Sequence, residues 1–252
     1  MRRVAVITGA SAGLGAEFAR QLRAEGYELL VVARRAERLA AIEGERWVAD
    51  LSGEAEVERL AAHLASRDDI ALLVNNAGFG TQGFFAETAL EAQMAMHRLH
   101  VLATVRLTRA VLPQMLRRRA GAIVNVSSVA GFGRSANNVS YCATKAWTNA
   151  FSEGLWLELQ GTGVSVQALC PGFTYTEFHD VMGSDRAKHP RWMWMDAAFV
   201  VEESLRNLGR LYVVPGWKYK VFLAIWTKLP AWLRLRLERR LPNGKGAPGV
   251  IN

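Results

Sequence analysis

The fold turns on residues 4 to 15, VAVITGASAGLG. Val4–Ile7 is a short apolar run with β-branched side chains, the kind of segment that forms a strand buried on both faces. Gly9, Gly13 and Gly15 follow it, and Ala16–Glu25 then has the length and spacing of an amphipathic helix. A strand, a glycine-rich turn and a helix start, in that order, aim backbone amides at an anionic group, and a pyrophosphate suits such a turn. The Met-Arg-Arg start does not lead into a secretory signal, because only four apolar residues precede Thr8-Gly9.

The same alternation continues outward. Leu29–Ala33, Trp47–Val48, Ala71–Val74, Ala122–Val126 and Val164–Leu169 have strand length and are rich in Val, Ile and Leu. Arg34–Ile42, Glu54–Ser66, Leu90–Arg118 and Asn138–Gln160 have helical length and pattern. This rhythm predicts an α/β domain over residues 1–214, a Rossmann-type doubly wound parallel sheet of about seven strands with helices on both faces. Cys142 and Cys170 lack partners at metal-binding or redox spacing. They read as reduced, packed thiols of a cytoplasmic protein, and no metal site is expected.

Charge is unevenly spread. From Pro215 onward there are eight basic residues and one acid, so the tail holds seven of the eight net positive charges. A body that is nearly neutral argues against nucleic acid as a partner.

Arg34 and Arg35 stand at the end of the second strand, Arg34 nineteen residues past Gly15. A dinucleotide site that reads an unmodified ribose carries Asp or Glu near this point. Arginine instead grips a 2′-phosphate and stacks on adenine, so the sequence predicts NADP(H) over NAD(H). The other reading of the two arginines is solvated charge at a helix start. Farther along, Tyr141 and Lys145 are four residues apart, on one face of the predicted helix. Taken alone, that pair is equally a surface tyrosine beside a surface lysine.

With these motifs in order, the sequence resembles the short-chain dehydrogenase/reductase superfamily over about residues 3 to 214. TGASAGLG (Thr8–Gly15) resembles its cofactor loop and brings Gly9, Ser11, Gly13, Leu14 and Gly15 to the dinucleotide. Asp50-Leu51 is similar to its adenine-contacting pair, and NNAG, with Asn76, Ala77 and Gly78, to its fourth-strand signature. PGFTYT resembles the segment lining the nicotinamide, which carries Pro171, Gly172, Thr174 and Thr176 over as cofactor contacts. Ser128, thirteen residues before Tyr141, completes a Ser–Tyr–Lys set. The resemblance implies that Tyr141 exchanges a proton with a carbonyl or alcohol oxygen, Ser128 holds that oxygen, and Lys145 binds the nicotinamide ribose. A free phenol has a pKa near 10, and a nearby ammonium favours phenolate.

His100 departs from the family pattern, which has asparagine there in a proton relay. Two readings stand: a relay carried through imidazole, which makes His100 a catalytic residue, or a packed histidine at a helix kink. His97, one turn earlier, reads as a helix-face residue.

The expected substrate is a hydrophobic small molecule. Phe173, Tyr175, Phe178, Met182 and the WMWM run at 192–195 cluster after the PG motif, with Phe132 and Phe84-Phe85 elsewhere; aromatics and methionines line adaptable apolar pockets. Core packing or a subunit contact accounts for WMWM equally well.

Residues 215–241 read as a basic amphipathic helical extension divided by Pro230, and 242–252 as a flexible tail. The extension's Trp, Leu, Lys and Arg suit a cover for the pocket, a subunit contact, or peripheral attachment to anionic lipid. The resulting expectation is an NADP(H)-dependent oxidoreductase interconverting a hydrophobic ketone and a secondary alcohol, such as a fatty-acyl, steroid-like or aromatic carbonyl compound. Family habit adds a homodimer or homotetramer. The alternative is a non-catalytic, cofactor-sensing protein of the same fold that docks on a membrane or partner.

Overall fold

The computed structural model describes residues 3–178 and 190–239. Its centre is a parallel sheet of seven strands in the order β3-β2-β1-β4-β5-β6-β9. These are β1 (Val4–Thr8), β2 (Glu28–Ala33), β3 (Glu45–Val48), β4 (Ile70–Asn75), β5 (Gly121–Val126), β6 (Val164–Leu169) and β9 (Tyr212–Val213). The short strands β7 (Thr174–Tyr175) and β8 (Met195–Asp196) pair with each other apart from the main sheet.

Alternation along β1 shows why the strands are apolar throughout. Val4 and Val6 enter one core with Leu60 and Leu64 of α3 (Glu54–Ala65) and with Leu107, Val111 and Met115 of α5 (Thr104–Arg118). Ala5 and Ile7 enter the other core, with Phe18 and Leu22 of α1 (Gly13–Ala24) and Val200 and Val201 of α7 (Ala197–Arg206). Each large side chain so buried contributes about 1.5–3 kcal/mol, so a polar residue on either face of β1 would break a layer. Strand order reverses between β1 and β4, which opens a crevice beyond the carboxyl ends of those strands.

The long helix expected over Leu90–Arg118 contains a change of winding. α4 (Leu90–His97) passes into a π-helical turn, Arg98–Ala103, before α5 resumes. The helix expected over Arg34–Ile42 shrinks to α2 (Ala36–Leu39), where only Leu39 is buried. After β9 come α8 (Trp217–Trp226) and α9 (Ala231–Glu238), with Pro230 at the N-cap of α9. Met182 and the tail expected at 242–252 lie outside the described residues.

Candidate active site

The carboxyl ends of the strands bring the motifs together. Gly9 follows β1, Arg34 follows β2, Asp50 lies just beyond β3, Asn76 follows β4, Ser128 lies just beyond β5 and Pro171 just beyond β6. The glycine loop is tight for a stated reason. Gly9 has a φ of +69°, and a Cβ there would meet Asn76 Nδ2 at 2.8 Å and Ala77 Cα at 2.9 Å. A Cβ on Gly15 would stand 2.2 Å from the Gly9 carbonyl oxygen. The Thr8 hydroxyl accepts hydrogen bonds from the Asn76 and Ala77 amides at 2.9 and 3.0 Å, and Asn76 Nδ2 donates to the Thr8 carbonyl at 2.8 Å. The loop and the NNAG motif are therefore one rigid wall. This cradle of bare backbone at the start of α1 fits a pyrophosphate.

The neighbouring side chains divide. Ser11 Oγ accepts from Arg35 Nη2 at 3.1 Å, joining the loop to the end of β2. Arg34 lies 3.7 Å from the Asp50 carboxylate, which also accepts from the Ser52 amide and hydroxyl at 2.9 and 2.8 Å. The Leu14 side chain packs against the core, and Leu51 is buried in it, so both are available to a dinucleotide chiefly through their backbone. Thr176 lies against Gly13, where a Cβ would meet it at 3.1 Å. Thr174 is buried and donates to the Gly172 carbonyl at 3.1 Å.

Tyr141 and Lys145 lie on one face of α6 (Val139–Glu158), and the Lys145 ammonium is 5.8 Å from the phenol ring centre. Lys145 is buried and donates to the Val126 carbonyl at the end of β5, at 2.7 Å. Ser128 caps a short 3-10 turn, its Oγ accepting from the Ala130 amide at 3.1 Å. Burial governs the titration of the pair. It pushes the Tyr141 phenol up to about 12, against the opposing pull of the neighbouring Ser128 hydroxyl. It pushes the Lys145 ammonium down to about 8. Desolvation outweighs the acidifying effect expected of the lysine, and the tyrosine is a protonated acid at neutral pH.

His100 occupies the π-helical turn, buried. Its Nε2 accepts from the Phe79 amide at 3.2 Å, and its Nδ1 lies 2.9 Å from the Thr144 hydroxyl. Thr144 donates its own proton to the Tyr141 carbonyl at 2.9 Å, which leaves Nδ1 as the donor to it. The imidazole is thus neutral with both nitrogens engaged. Desolvation, and then the charges of Lys145 and His97, hold its pKa well below the usual value. Gly78 leaves room for it, since a Cβ there would stand 2.7 Å from Nε2.

Several site residues had no motif to mark them. Ser127 hydrogen-bonds Asn149 Oδ1 at 2.6 Å, and Asn125 on β5 accepts at 2.9 Å from Asn75, the first residue of the NNAG motif on β4. Tyr219 of α8 is the least expected. Its hydroxyl accepts from the Phe173 amide at 3.0 Å and donates to the Met193 carbonyl at 2.7 Å, while its ring lies where a Cβ on Gly172 would be. Phe178 lies with its ring 5.7 Å from that of Tyr141. Trp194 is buried against Phe173 and Tyr175, whereas Trp192 is exposed under Lys218. The described residues contain no cluster of metal ligands.

Comparison with known proteins agrees with this geometry. The family model described as short chain dehydrogenase matches residues 3–187. A putative ketoacyl reductase of Streptomyces coelicolor is 36% identical over 185 residues, covering 69% of this chain and 71% of that protein. A short-chain dehydrogenase from Sphingobium yanoikuyae, solved in complex with NADPH, superposes with a TM-score of 0.82 at 30% identity, over 98% of this chain and 99% of the other. The bulky-bulky ketone specific alcohol dehydrogenase from Comamonas testosteroni gives 0.77 at 27% identity, over 99% and 98% of the two chains. With that match and the ordered motifs on one sheet edge, the chain belongs to the short-chain dehydrogenase/reductase family and is an oxidoreductase.

Proposed function

We propose that this protein is an NADP(H)-dependent oxidoreductase that interconverts a hydrophobic ketone and its secondary alcohol. The observation that carries the reading is the shared placement of half-buried Ser128 and Tyr141 with buried Lys145 at the carboxyl edge of β5 and the start of α6. Bound dinucleotide supplies or accepts the hydride at the substrate carbon. In the reducing direction Tyr141, protonated to about pH 12, gives its phenolic proton to the oxygen as charge gathers there. Ser128 donates a hydrogen bond to the same oxygen. Lys145 would hold the nicotinamide ribose, and its charge would stabilise the phenolate left behind. His100, neutral and engaged at both nitrogens, positions α6 through Thr144 and transfers no proton.

The glycine cradle, the Asn76–Gly78 wall and the Pro171–Thr176 segment hold the dinucleotide, with Arg34 and Arg35 at its adenosine end. The NADPH-bound Sphingobium relative supports the cofactor choice, and the ketone-specific Comamonas relative supports the substrate class. Phe178 and Phe173 give the reacting end an apolar wall. The test is NADPH consumption with a panel of apolar ketones. Tyr141→Phe is expected to lower kcat by about 100-fold or more, the scale of lost general-acid catalysis, with calorimetric NADPH affinity unchanged. Full turnover in that variant would reject the assignment, and silence of the parent protein on every ketone would favour the non-catalytic alternative.

We further propose a cytoplasmic protein that touches anionic membrane through its last helices. α8 buries Leu223 and seats Tyr219 and Trp226, but Trp217, Val221, Phe222 and Ile225 face outward with Lys218 and Lys220. Trp232, Leu235 and Arg236 are also exposed on α9. No described helix is long and apolar enough to cross a bilayer, so the contact is interfacial. A homodimer or homotetramer is supported by exposed Leu90, Met94, Leu102 and Val105 along α4, the π-helical turn and α5.

A further inference from the structure

Glu177, directly after the PGFTYT stretch, lies between two guanidinium groups. Its Oε2 accepts from Arg35 Nη1 at 3.1 Å and its Oε1 from Arg38 Nη1 at 2.5 Å. Arg35 turns its Nε and Nη2 to Ser11 Oγ, at 3.3 and 3.1 Å. Two arginines, one of them braced by a glycine-loop hydroxyl, therefore hold one small anion at the adenosine end of the crevice. That donor set is the one a phosphate monoester takes, and a carboxylate is its isocharged stand-in. Arg38 and then Arg35 hold the Glu177 carboxyl below its usual range, so it is ionised at neutral pH. All three side chains are about half exposed, at 39, 43 and 46%. Ion pairs so exposed are worth about 1 kcal/mol or less and exchange readily for a dianion.

We infer that Glu177 is an internal competitor for the adenosine 2′-phosphate, holding the Arg35–Arg38 site until that phosphate displaces it, and that Arg38 is a specificity residue of the same site. The inference rests on the NADP(H) reading. Its signature is selective: the carboxylate weakens binding only of a cofactor that carries a 2′-phosphate, because NADH has no group that contends for the two arginines.

Calorimetric titration of the full-length protein tests it, with NADPH, NADH, adenosine 2′,5′-bisphosphate and 5′-AMP as probes. Glu177→Gln is expected to tighten NADPH and the bisphosphate roughly two- to fivefold, the size of a lost exposed ion pair, and to leave NADH and 5′-AMP unchanged. Arg38→Gln is expected to weaken the two phosphorylated probes by about tenfold, the size of a lost charged hydrogen bond, again without effect on NADH. Weaker NADPH binding in Glu177→Gln, or an equal change for both cofactors, would overturn the inference. A parent protein that binds NADH as tightly as NADPH would overturn the cofactor reading as well. Preference for NADPH with no response at residues 177 and 38 would remove the inference alone.

Discussion

The burial of Lys145 ties the stability of the fold to pH. Its ammonium, about 10.5 in the open chain, falls to about 8 because desolvation disfavours the charge. Between those values the unfolded chain binds a proton that the folded chain has released, so stability rises with pH across that window. Below about pH 8 the folded protein bears the full cost of the buried charge, roughly 3 kcal/mol. Lys145→Met removes that dependence. From pH 7 to pH 10 the stability of the parent relative to this variant is expected to rise by roughly 2–3 kcal/mol, read from paired denaturant melts; a difference constant with pH would contradict the buried, deprotonating amine. At this scale much of the site was legible. Ser128, Tyr141, Lys145 and the loop glycines are carried by local motifs, and a motif is a short-range object. Arg38 and Glu177 were not legible, because their meeting spans 139 positions and no spacing rule joins an arginine on α2 to a glutamate after β7.

Elements tell the same story through length and period. β1, β2, β4, β5 and β6 were readable because both faces are buried, which writes a continuous apolar run. β9 has two residues, too few for any period, and is held by β6, whose Ala168 and Leu169 pair with Tyr212 and Val213. The π-helical turn escaped a reading based on 3.6 residues per turn, since that period carries no signal for one locally wider turn. Its occupant, His100, was noticed only through the family pattern, as an imidazole where asparagine is usual. The Gly172–Tyr219 contact is testable here. A Cβ on Gly172 would lie 2.0 Å from the Tyr219 ring, so Gly172→Ala is expected to cost about 2 kcal/mol or more, in the range of overpacking. In a Tyr219→Ala background the same change should cost much less. Additive costs across this double-mutant cycle would show that the ring does not press on the PG segment.

The whole molecule joins a neutral catalytic body to a basic, tryptophan-bearing end. Composition alone disclosed the charge asymmetry, whereas the sidedness of α8, with Tyr219 and Leu223 inward and Trp217 and Ile225 outward, needed the fold. Membrane contact is expected to reside in the outer face only. Full-length protein should co-sediment with vesicles containing anionic phospholipid, more weakly as salt rises, and poorly with neutral vesicles. Combined Trp217→Ser, Phe222→Ser and Ile225→Ser should abolish that binding while leaving turnover of a water-soluble ketone intact. Equal sedimentation of this variant and the parent would discard the membrane role.

Tyr219 gives the C-terminal end a second significance. One phenol of α8 props Gly172 and Phe173, in the segment proposed to face the nicotinamide, so α8 and that segment are mechanically coupled. A fusion or graft that strains α8 is therefore expected to disturb the proposed hydride geometry without touching Ser128, Tyr141 or Lys145, so an engineer altering this helix would be retuning the chemistry.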